Sequence, residues 1–422
     1  MIRNRLTPVT LAAALTASTF VSTRQAASQA PVGERPPGPP AAQAGRGTTA
    51  VKSPEVGADR RVTFRLRAPS AKEVAVAIGS TRLPMRKDDE DVWSATSEPM
   101  QPDVYTYSLV VDGASINDPA NRERQTSFGY FQSMFTVPGP RPWLPAPGVA
   151  RGAVARHAFH SAVAGDDRDF FVYTPPGYDA RRAEPYPVLY LLHGLGDDAE
   201  RWLTGGGAAS TILDNLIAER KAVPMIVVAP LGYGTSRGPE GGRTAENIAG
   251  YTKILLDEVM PVVDRAYNVT RSREGRAIAG LSMGGAEALY VGLNNLDRFA
   301  WIGAFSSAPM LWPPIASAAR PARTSDGRGG RGSGPPAPID PVMFDKTFPA
   351  LSARSNSQIR MLWIVCGTGD RLIGANRQFK EWLASKNVKF TEEEVPDAGH
   401  VWPLWRQNLA DMAPRLFSKG GK

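Results

Sequence analysis

The segment 276–285, Arg-Ala-Ile-Ala-Gly-Leu-Ser-Met-Gly-Gly, restricts the fold of this 422-residue chain more than any other part of it. It sets Gly-x-Ser-x-Gly, with Ser282 at the centre, between a short apolar run and the helix-forming run Ala-Glu-Ala-Leu-Tyr. A serine in a sharp strand-to-helix turn needs neighbours without side chains, which Gly280 and Gly284 provide. The pattern alone arises by chance in unrelated chains. Its strand–turn–helix context predicts that Ser282 is a nucleophile at the edge of a sheet.

The chain around this motif, from residue 149 to 420, alternates apolar runs with helical periodicity. A mostly parallel sheet with helices on both faces has this pattern, since its strands are buried on both sides. Together with the serine turn, the pattern predicts an α/β-hydrolase fold. The predicted strands are 188–192, 225–229, 277–279, 301–305 and 361–365, and the predicted helices are 212–220, 248–267 with a kink at Pro261, 379–385 and 405–417.

Residues 54–140 have a different pattern, with short alternating runs and turn residues between them. The runs 62–67, 74–78, 105–111 and 131–137 predict a small β-sandwich. Aromatic residues on such strands fill the core of the sandwich or stack on sugar rings. The second role would make the chain a carbohydrate-binding protein acting through Trp93, Tyr105, Tyr107 and Tyr130.

Three further segments do not have the composition of a folded core. Residues 1–30 have Arg3 and Arg5 before a mostly apolar stretch and small residues at its end, which predicts a cleaved signal peptide and an exported protein, periplasmic or extracellular. Residues 31–53 form a linker rich in Pro, Ala and Gly. The low-complexity insert 316–338 is either a tolerated surface insertion or a lid.

The net charge of +8 does not indicate nucleic-acid binding, because the excess lies mainly in those segments. Residues 1–30 carry +3, 31–55 carry +1 and 316–340 carry +2, which leaves +2 for the rest. One cysteine, Cys366, and four scattered histidines form no metal-ligand pattern, so we expect no metal and no cofactor. Cys366 ends an apolar run and is predicted to be a buried packing residue.

A serine nucleophile needs a general base and a carboxylate that orients it. In this fold they follow the serine in the order acid, then histidine, and His400 is the only histidine after Ser282. Asp370 comes directly after the strand 361–366 through a tight turn, at the edge where sites of open α/β sheets assemble. His157 and His160, beside a predicted strand near residue 150, are taken as structural.

Two backbone N–H groups are predicted to bind the oxyanion of the reaction. Met283 follows the serine at the start of a helix, and Leu195 lies in the Gly-rich turn 193–198 after the strand 188–192. His193 in that turn is taken as a structural residue that shapes it.

Five sequence segments resemble those of the esterase D and feruloyl esterase family, carbohydrate esterase family 1. The resemblance covers roughly residues 150–417. The segments are Phe171-Val-Tyr-Thr-Pro-Pro-Gly-Tyr178, Leu192-His-Gly-Leu-Gly-Asp, Trp202-Leu-Thr-Gly-Gly-Gly, the serine motif itself and Gly399-His-Val-Trp-Pro-Leu-Trp-Arg406. Residues 54–140 resemble the early-set immunoglobulin-like modules that precede such enzymes. The resemblance implies Ser282, Asp370 and His400 as a triad, with Leu195 and Met283 as oxyanion donors. Two departures are Asp197, where a further glycine is common, and the insert 316–338.

The resemblance also implies the substrate, a feruloyl or acetyl ester on plant-wall polysaccharide or a small aromatic ester. Trp202, Trp402 and Trp405 are predicted to bind substrate as walls of an aromatic acyl pocket, while at least one of them is expected to pack in the core instead. Related enzymes of this architecture cleave siderophore esters or transfer acyl groups, and the sequence leaves these alternatives open.

Overall fold

The computed structural model describes residues 51–236, 238–318 and 338–418. The predicted signal peptide 1–30, most of the linker 31–53 and most of the insert 316–338 lie outside the described residues, so the predictions about them stay predictions. No helix in the described part of the chain is long and apolar enough to span a bilayer.

The first ten strands form two facing sheets, as the alternation in residues 54–140 predicts. The smaller sheet has the order β1-β2-β6-β5 and the larger has β4-β3-β7-β10-β9, with β8 beside β7. Their strands are β1 Glu55–Val56, β2 Val62–Arg67, β3 Val74–Ile78, β4 Thr81–Pro84, β5 Arg86–Lys87, β6 Val92–Thr96, β7 Asp103–Val111, β8 Ala114–Ile116, β9 Arg124–Ser127 and β10 Tyr130–Val137.

The inner faces of this sandwich hold aromatic side chains. The rings of Phe64 and Tyr107 lie 4.9 Å apart, and Trp93 is also buried. Of the four aromatic residues considered for sugar stacking, Trp93 and Tyr107 therefore fill the core, whereas Tyr130 is 56% exposed. The assignment of the sandwich as immunoglobulin-like stays a prediction.

The remaining strands form one mixed sheet of eight, in the order β11-β12-β14-β13-β15-β16-β17-β18. Pairing is antiparallel from β11 through β12 to β14 and parallel from there to β18. The strands are β11 Ala153–Ser161, β12 Asp166–Thr174, β13 Val188–Leu192, β14 Ile226–Pro230, β15 Arg276–Leu281, β16 Trp301–Phe305, β17 Met361–Gly367 and β18 Thr391–Val395.

Helices cover both faces of this sheet, and a separate apolar core lies on each side. The α/β-hydrolase fold predicted for this region is the one the chain adopts. The helices are α1 Ala209–Ala218, α2 Ala245–Lys253, α3 Met260–Ala266, α4 Met283–Asn294, α5 Pro313–Ala318, α6 Pro341–Thr347, α7 Ile373–Ser385 and α8 Trp402–Met412.

The helix predicted over 248–267 is continuous in the structure, but its winding changes in the middle. A π-helical turn, Ile254–Val259, joins α2 to α3, and Pro261 lies at the start of α3. Proline has no N–H to continue the α-helical ladder, and a wider turn just before it accommodates that loss.

The sandwich and the α/β region pack against each other in one compact unit. Asp103 at the start of β7 accepts hydrogen bonds from Arg406 on α8, at 2.5 Å, and from the indole of Trp143, at 2.8 Å. Asn215 on α1 donates to the carbonyl oxygens of Pro142 and Leu144, each at 2.8 Å. The predicted domain boundaries at residues 140 and 149 stay a prediction.

Candidate active site

Ser282 occupies the strained turn that the sequence predicts between β15 and α4. Its φ is +53° and its ψ −113°, and its N–H donates to Phe305 O at 2.8 Å. A Cβ on Gly280 would lie 2.4 Å from Gly284 O, and a Cβ on Gly284 would lie 2.5 Å from Leu192 O. Real Cβ contacts are never so short. The two glycines therefore allow the backbone approach that exposes the Ser282 hydroxyl.

His400 and Asp370 meet Ser282 at the carboxyl edge of the sheet. His400 follows β18 and Asp370 follows β17, and both strands run parallel to β15. His400 Nε2 lies 3.0 Å from Ser282 Oγ, and His400 Nδ1 lies 2.7 Å from Asp370 Oδ2. A carboxylate can only accept, so Nδ1–H donates to Asp370 and Nε2 is left to accept the serine proton. This arrangement can activate the hydroxyl as a nucleophile.

Burial acts to raise the pKa of Asp370, but hydrogen bonds from His400 and from the Leu372 N–H outweigh it, so the pKa lies below its usual value. Asp370 is therefore ionised at neutral pH, although its side chain is fully buried. An ionised acceptor in this position fixes the tautomer of His400 and stabilises its imidazolium form.

The turns that carry Asp370 and His400 are joined by backbone hydrogen bonds. Thr368 N–H donates to Val395 O at 2.9 Å, and Gly369 N–H donates to Ala398 O at 3.0 Å. The Thr368 hydroxyl accepts from Asp397 N–H at 2.9 Å. The ring of Trp405 stands edge-on to the imidazole of His400, with centroids 4.8 Å apart. The acid and the histidine are thus held as one unit.

The turn after β13, residues 193–198, lies beside Ser282, and we call it the oxyanion loop. Among the described residues, neither Leu195 N–H nor Met283 N–H has a hydrogen-bond partner. His193 Nδ1 donates to Gly194 O at 2.8 Å, and its Nε2 accepts from Gly232 N–H at 2.9 Å. Burial lowers the pKa of His193 to about 4, so this histidine is neutral, and its two nitrogens tie the loop to the segment after β14. It has the structural role that the sequence predicts.

A cavity of about 420 Å³ opens over these groups. Apolar and polar groups contribute about equally to its walls, and the charged side chains among the lining residues are two arginines with no carboxylate. The lining residues are Leu195, Arg243, Ser282, Met283, Ala308, Met310, Leu311, Arg371, Leu372 and His400.

The structure does not place the three predicted tryptophans in the wall of this cavity, contrary to the prediction. Trp202 is fully buried and donates from its indole to Leu192 O at 2.8 Å. Trp405, also buried, donates to the Ser306 hydroxyl at 3.2 Å. The ring of Trp402 packs edge-on against both, under the Arg201 guanidinium. Indoles buried with a satisfied N–H are core residues, and here they support the walls from behind.

The model of the Esterase family matches residues 161–416. The chain belongs to the Esterase family.

The esterase is 30% identical over 379 residues to an endo-1,4-beta-xylanase/feruloyl esterase of Xylanibacter ruminicola, a match that covers 86% of this chain and 46% of the relative. The chain thus spans about half the length of that relative. A solved ferulic acid esterase of Anaeromyces mucronatus is 25% identical, with a TM-score of 0.52, and covers 66% of this esterase and 96% of its own chain. The enterobactin esterase of Shigella flexneri shares the fold over 85% of this chain and 93% of its own, at 19% identity and a TM-score of 0.56.

Sequence reasoning missed six residues that line the cavity of the esterase: Arg243, Ala308, Met310, Leu311, Arg371 and Leu372. Arg371 directly follows Asp370, so its place beside the site follows from that assignment. Arg243 lies in the long connection after β14, whose carboxyl end faces the same edge as β13 and β15. Because that connection lies at the catalytic edge of the sheet, its position could have indicated that Arg243 lines the cavity.

The single cysteine of the esterase takes no part in this site. Cys366 is buried in β17, and burial raises the pKa of its thiol to about 12, so it is not a thiolate at neutral pH. Within the described residues, no group of three or more His, Cys, Asp or Glu side chains is placed to hold a metal ion.

Proposed function

We propose that this esterase hydrolyses carboxylic esters through an acyl-enzyme on Ser282. The observation that carries the proposal is the hydrogen-bonded chain from Ser282 Oγ through His400 to Asp370, at 3.0 and 2.7 Å, which opens into the cavity. No other described histidine contacts a serine hydroxyl.

In the first half-reaction, Ser282 Oγ attacks the ester carbonyl while its proton passes to His400 Nε2. The carbonyl oxygen becomes an oxyanion and accepts hydrogen bonds from the N–H groups of Leu195 and Met283. His400 then protonates the departing alcohol, which leaves the acyl group on Ser282. Water, deprotonated by His400, attacks this acyl-enzyme, and collapse of the second intermediate returns the proton to Ser282.

We infer that the natural substrate is a feruloyl or acetyl ester on plant-wall polysaccharide. The resemblance to carbohydrate esterase family 1 supports this, as do the relatives named for feruloyl esterase activity. The apolar walls of Met310, Leu311 and Leu372 suit the body of a hydroxycinnamoyl group. Export to a compartment that holds such polymers is part of the same proposal.

The test is hydrolysis of a small ester panel by the full chain and by its Ser282→Ala variant. The panel contains p-nitrophenyl acetate, methyl ferulate, acetylated xylan and a siderophore trilactone. We expect the variant to lose up to ~10⁶-fold in kcat, as for other triad serines. We expect the highest kcat/KM on methyl ferulate or acetylated xylan. Equal activity of both proteins on every ester would contradict the mechanism.

A second candidate, a siderophore-type esterase, is favoured by Arg243 and Arg371. Both side chains are exposed at the cavity, and neither has an ion-pair partner among the described residues. A feruloyl group has no full charge at neutral pH, so two free guanidinium groups suit a substrate that carries anionic groups, such as the deprotonated catecholates of an iron-loaded siderophore. The fold shared with an enterobactin esterase agrees with this candidate without deciding it.

Charge-neutral variants separate the two candidates. Arg243→Gln and Arg371→Gln are expected to lower kcat/KM for the iron-loaded trilactone about tenfold each if the arginines bind its anionic groups, and to leave methyl ferulate unchanged. Arg86→Gln on the exposed strand β5 is the matched control. No activity of the parent protein on the trilactone would exclude the second candidate.

A further inference from the structure

The tip of the β9–β10 hairpin of the sandwich, residues 127–130, reaches the oxyanion loop. Phe128 N–H donates to Gly196 O at 3.0 Å, and the Phe128 ring stands edge-on to the ring of Tyr233, with centroids 5.4 Å apart. Gly196 directly follows Leu195, the proposed oxyanion donor. A residue of the sandwich therefore contacts the loop one position from the proposed oxyanion donor.

Tyr233, from the α/β region, holds the loop from the other side. Its hydroxyl accepts from Gly196 N–H at 2.8 Å and donates to Asp197 O at 2.9 Å. Both backbone groups of Gly196 are thus bonded, its N–H to Tyr233 and its carbonyl to Phe128. The φ of Gly196 is +94°, which a side chain would disfavour, so these two bonds hold a flexible residue in an uncommon conformation.

The hairpin tip fits closely into its place. A Cβ on Gly238 would lie 2.5 Å from the Phe128 ring, so the absence of a side chain there leaves room for that ring. The Thr126 hydroxyl, just before the tip, contacts the carboxylates of Asp198 and Glu200. Arg201 donates to Thr126 O at 3.4 Å. Polar contacts of Thr126 therefore fix the base of the tip against the segment that continues the loop.

We infer that Phe128 is a positioning residue for ester hydrolysis, which acts by holding Gly196 and through it the N–H of Leu195. The inference rests on the proposed role of that N–H at the oxyanion. Loss of the ring loosens the tip, weakens the bond to Gly196 O and lets the Leu195 N–H move. A displaced donor stabilises the oxyanion less in the transition state and leaves ground-state binding of the ester unchanged.

The experiment compares Phe128→Ala with Phe131→Ala in the full chain. Phe131 lies on the same hairpin, is 50% exposed and, among the described residues, packs under Arg124 and not against the loop, so it controls for loss of a surface phenylalanine. Phe128→Tyr keeps the ring and tests rescue. Gly238→Ala pushes on the ring from the opposite side without altering the hairpin.

Two quantities are measured: kcat and KM for p-nitrophenyl acetate, and hydrogen exchange of the peptide that contains residues 193–198. For Phe128→Ala and Gly238→Ala we expect kcat and kcat/KM to fall together by about 10- to 100-fold, as for a donor displaced by roughly an ångström. Exchange in the loop should be faster, while Phe131→Ala and Phe128→Tyr should match the parent in both.

Three results would overturn the inference. Unchanged loop exchange in Phe128→Ala would show that the ring does not hold the loop. A rise in KM alone would show that the hairpin acts in substrate binding. Faster exchange with unchanged kcat would remove the catalytic part of the inference together with the oxyanion role of Leu195. Ser282→Ala distinguishes these results from a failure of the proposed function. If the proposed function is wrong, the parent and Ser282→Ala hydrolyse esters equally. If only this inference is wrong, Ser282→Ala still loses activity.

Discussion

At the scale of single residues, replacement of the Asp370 carboxylate is the sharpest test of the proposed site. Asp370→Asn keeps the size of the side chain but presents an N–H or a weaker acceptor to His400, which favours the wrong tautomer. We expect kcat on p-nitrophenyl acetate to fall by about 10⁴-fold, as in the corresponding change in serine proteases. The fold should be preserved, as near-ultraviolet circular dichroism would show.

Asp397→Asn is the control for that change, because Asp397 is nearer to His400 in sequence and lies in an exposed turn. Its φ of +57° is one that asparagine adopts readily. Activity within about twofold of the parent is expected. Equal loss in both variants would mean that the two carboxylates have been assigned wrongly.

Glu287 on α4 is a residue whose effect depends on pH. It is fully buried, its Oε1 accepts from Asn247 at 3.3 Å, and its Oε2 has no hydrogen-bond partner among the described residues. Burial raises the pKa of Glu287 well above its usual value, and the hydrogen bond from Asn247 offsets only part of this. The folded protein therefore holds the proton that the unfolded chain releases.

Glu287→Gln should accordingly stabilise the protein increasingly as pH rises. Above the usual glutamate pKa of about 4.3, the free energy of unfolding of the parent should fall relative to the variant by about 1.4 kcal/mol per pH unit, until the raised pKa is reached. Urea unfolding of both proteins between pH 4 and 8 measures this difference. A difference that does not change with pH would mean that Glu287 is ionised in the folded state.

At the scale of elements, two glycines in equivalent helix positions have opposite expected effects. Gly284 is the second residue of α4 and Gly374 the second of α7. A Cβ on Gly284 would lie 2.5 Å from the carbonyl oxygens of both Leu192 and His193, whereas a Cβ on Gly374 would meet nothing within 4 Å. The substitution by alanine is the same chemical change in two different surroundings.

Gly284→Ala should therefore destabilise the protein by about 1–3 kcal/mol, since backbone must move to make room. It should also lower kcat, because the atoms it displaces begin the oxyanion loop. Gly374→Ala should stabilise the protein by about 0.4–1 kcal/mol with full activity. Thermal unfolding and ester hydrolysis check both, and a neutral Gly284→Ala would contradict the close approach at the turn.

The sequence predicts the elements that depend on residues close together in the chain. The strand–turn–helix at Ser282 and the acid turn after β17 depend on glycines and apolar runs that can be read directly. β12 was not predicted, because the charged residues of a buried ion pair interrupt the apolar pattern expected of a covered strand. Arg168 is buried and contacts the Asp166 carboxylate at 2.6 Å, so a covered strand reads as a polar segment.

The role of the tryptophans could not be read from the sequence either. The position of Trp202 in the chain does not indicate whether its ring faces the cavity or the core. In the structure the ring lies in the core. The hairpin contact of Phe128 joins segments about 70 residues apart, with no local signal in either. Properties that depend on packing between distant segments thus stayed beyond the sequence.

At the scale of the whole molecule, the ion pair between Arg406 and Asp103 joins the sandwich to the α/β region. Arg406 is 1% exposed and pairs with Asp103, whose carboxylate also accepts from Trp143. Removal of one partner of a buried pair leaves an uncompensated charge, so Asp103→Ala should destabilise the protein by about 3–5 kcal/mol. Equilibrium unfolding in urea measures the loss.

The control is Glu98→Ala, which removes the partner of Arg61 at the surface. Both side chains of that pair are exposed, so the change should be within about 1 kcal/mol. If Asp103→Ala were as mild as Glu98→Ala, the pair would not contribute to joining the two regions.

The same pair has a consequence for the time course of synthesis. Its partners are 303 residues apart in the chain. A ribosome that adds about 5–20 residues per second completes Arg406 roughly 15–60 s after Asp103. During that interval the sandwich has emerged, while the helix that carries its partner charge does not yet exist. The junction between the two regions is therefore among the last parts of the molecule to form, and a nascent chain must keep Asp103 hydrated until α8 arrives.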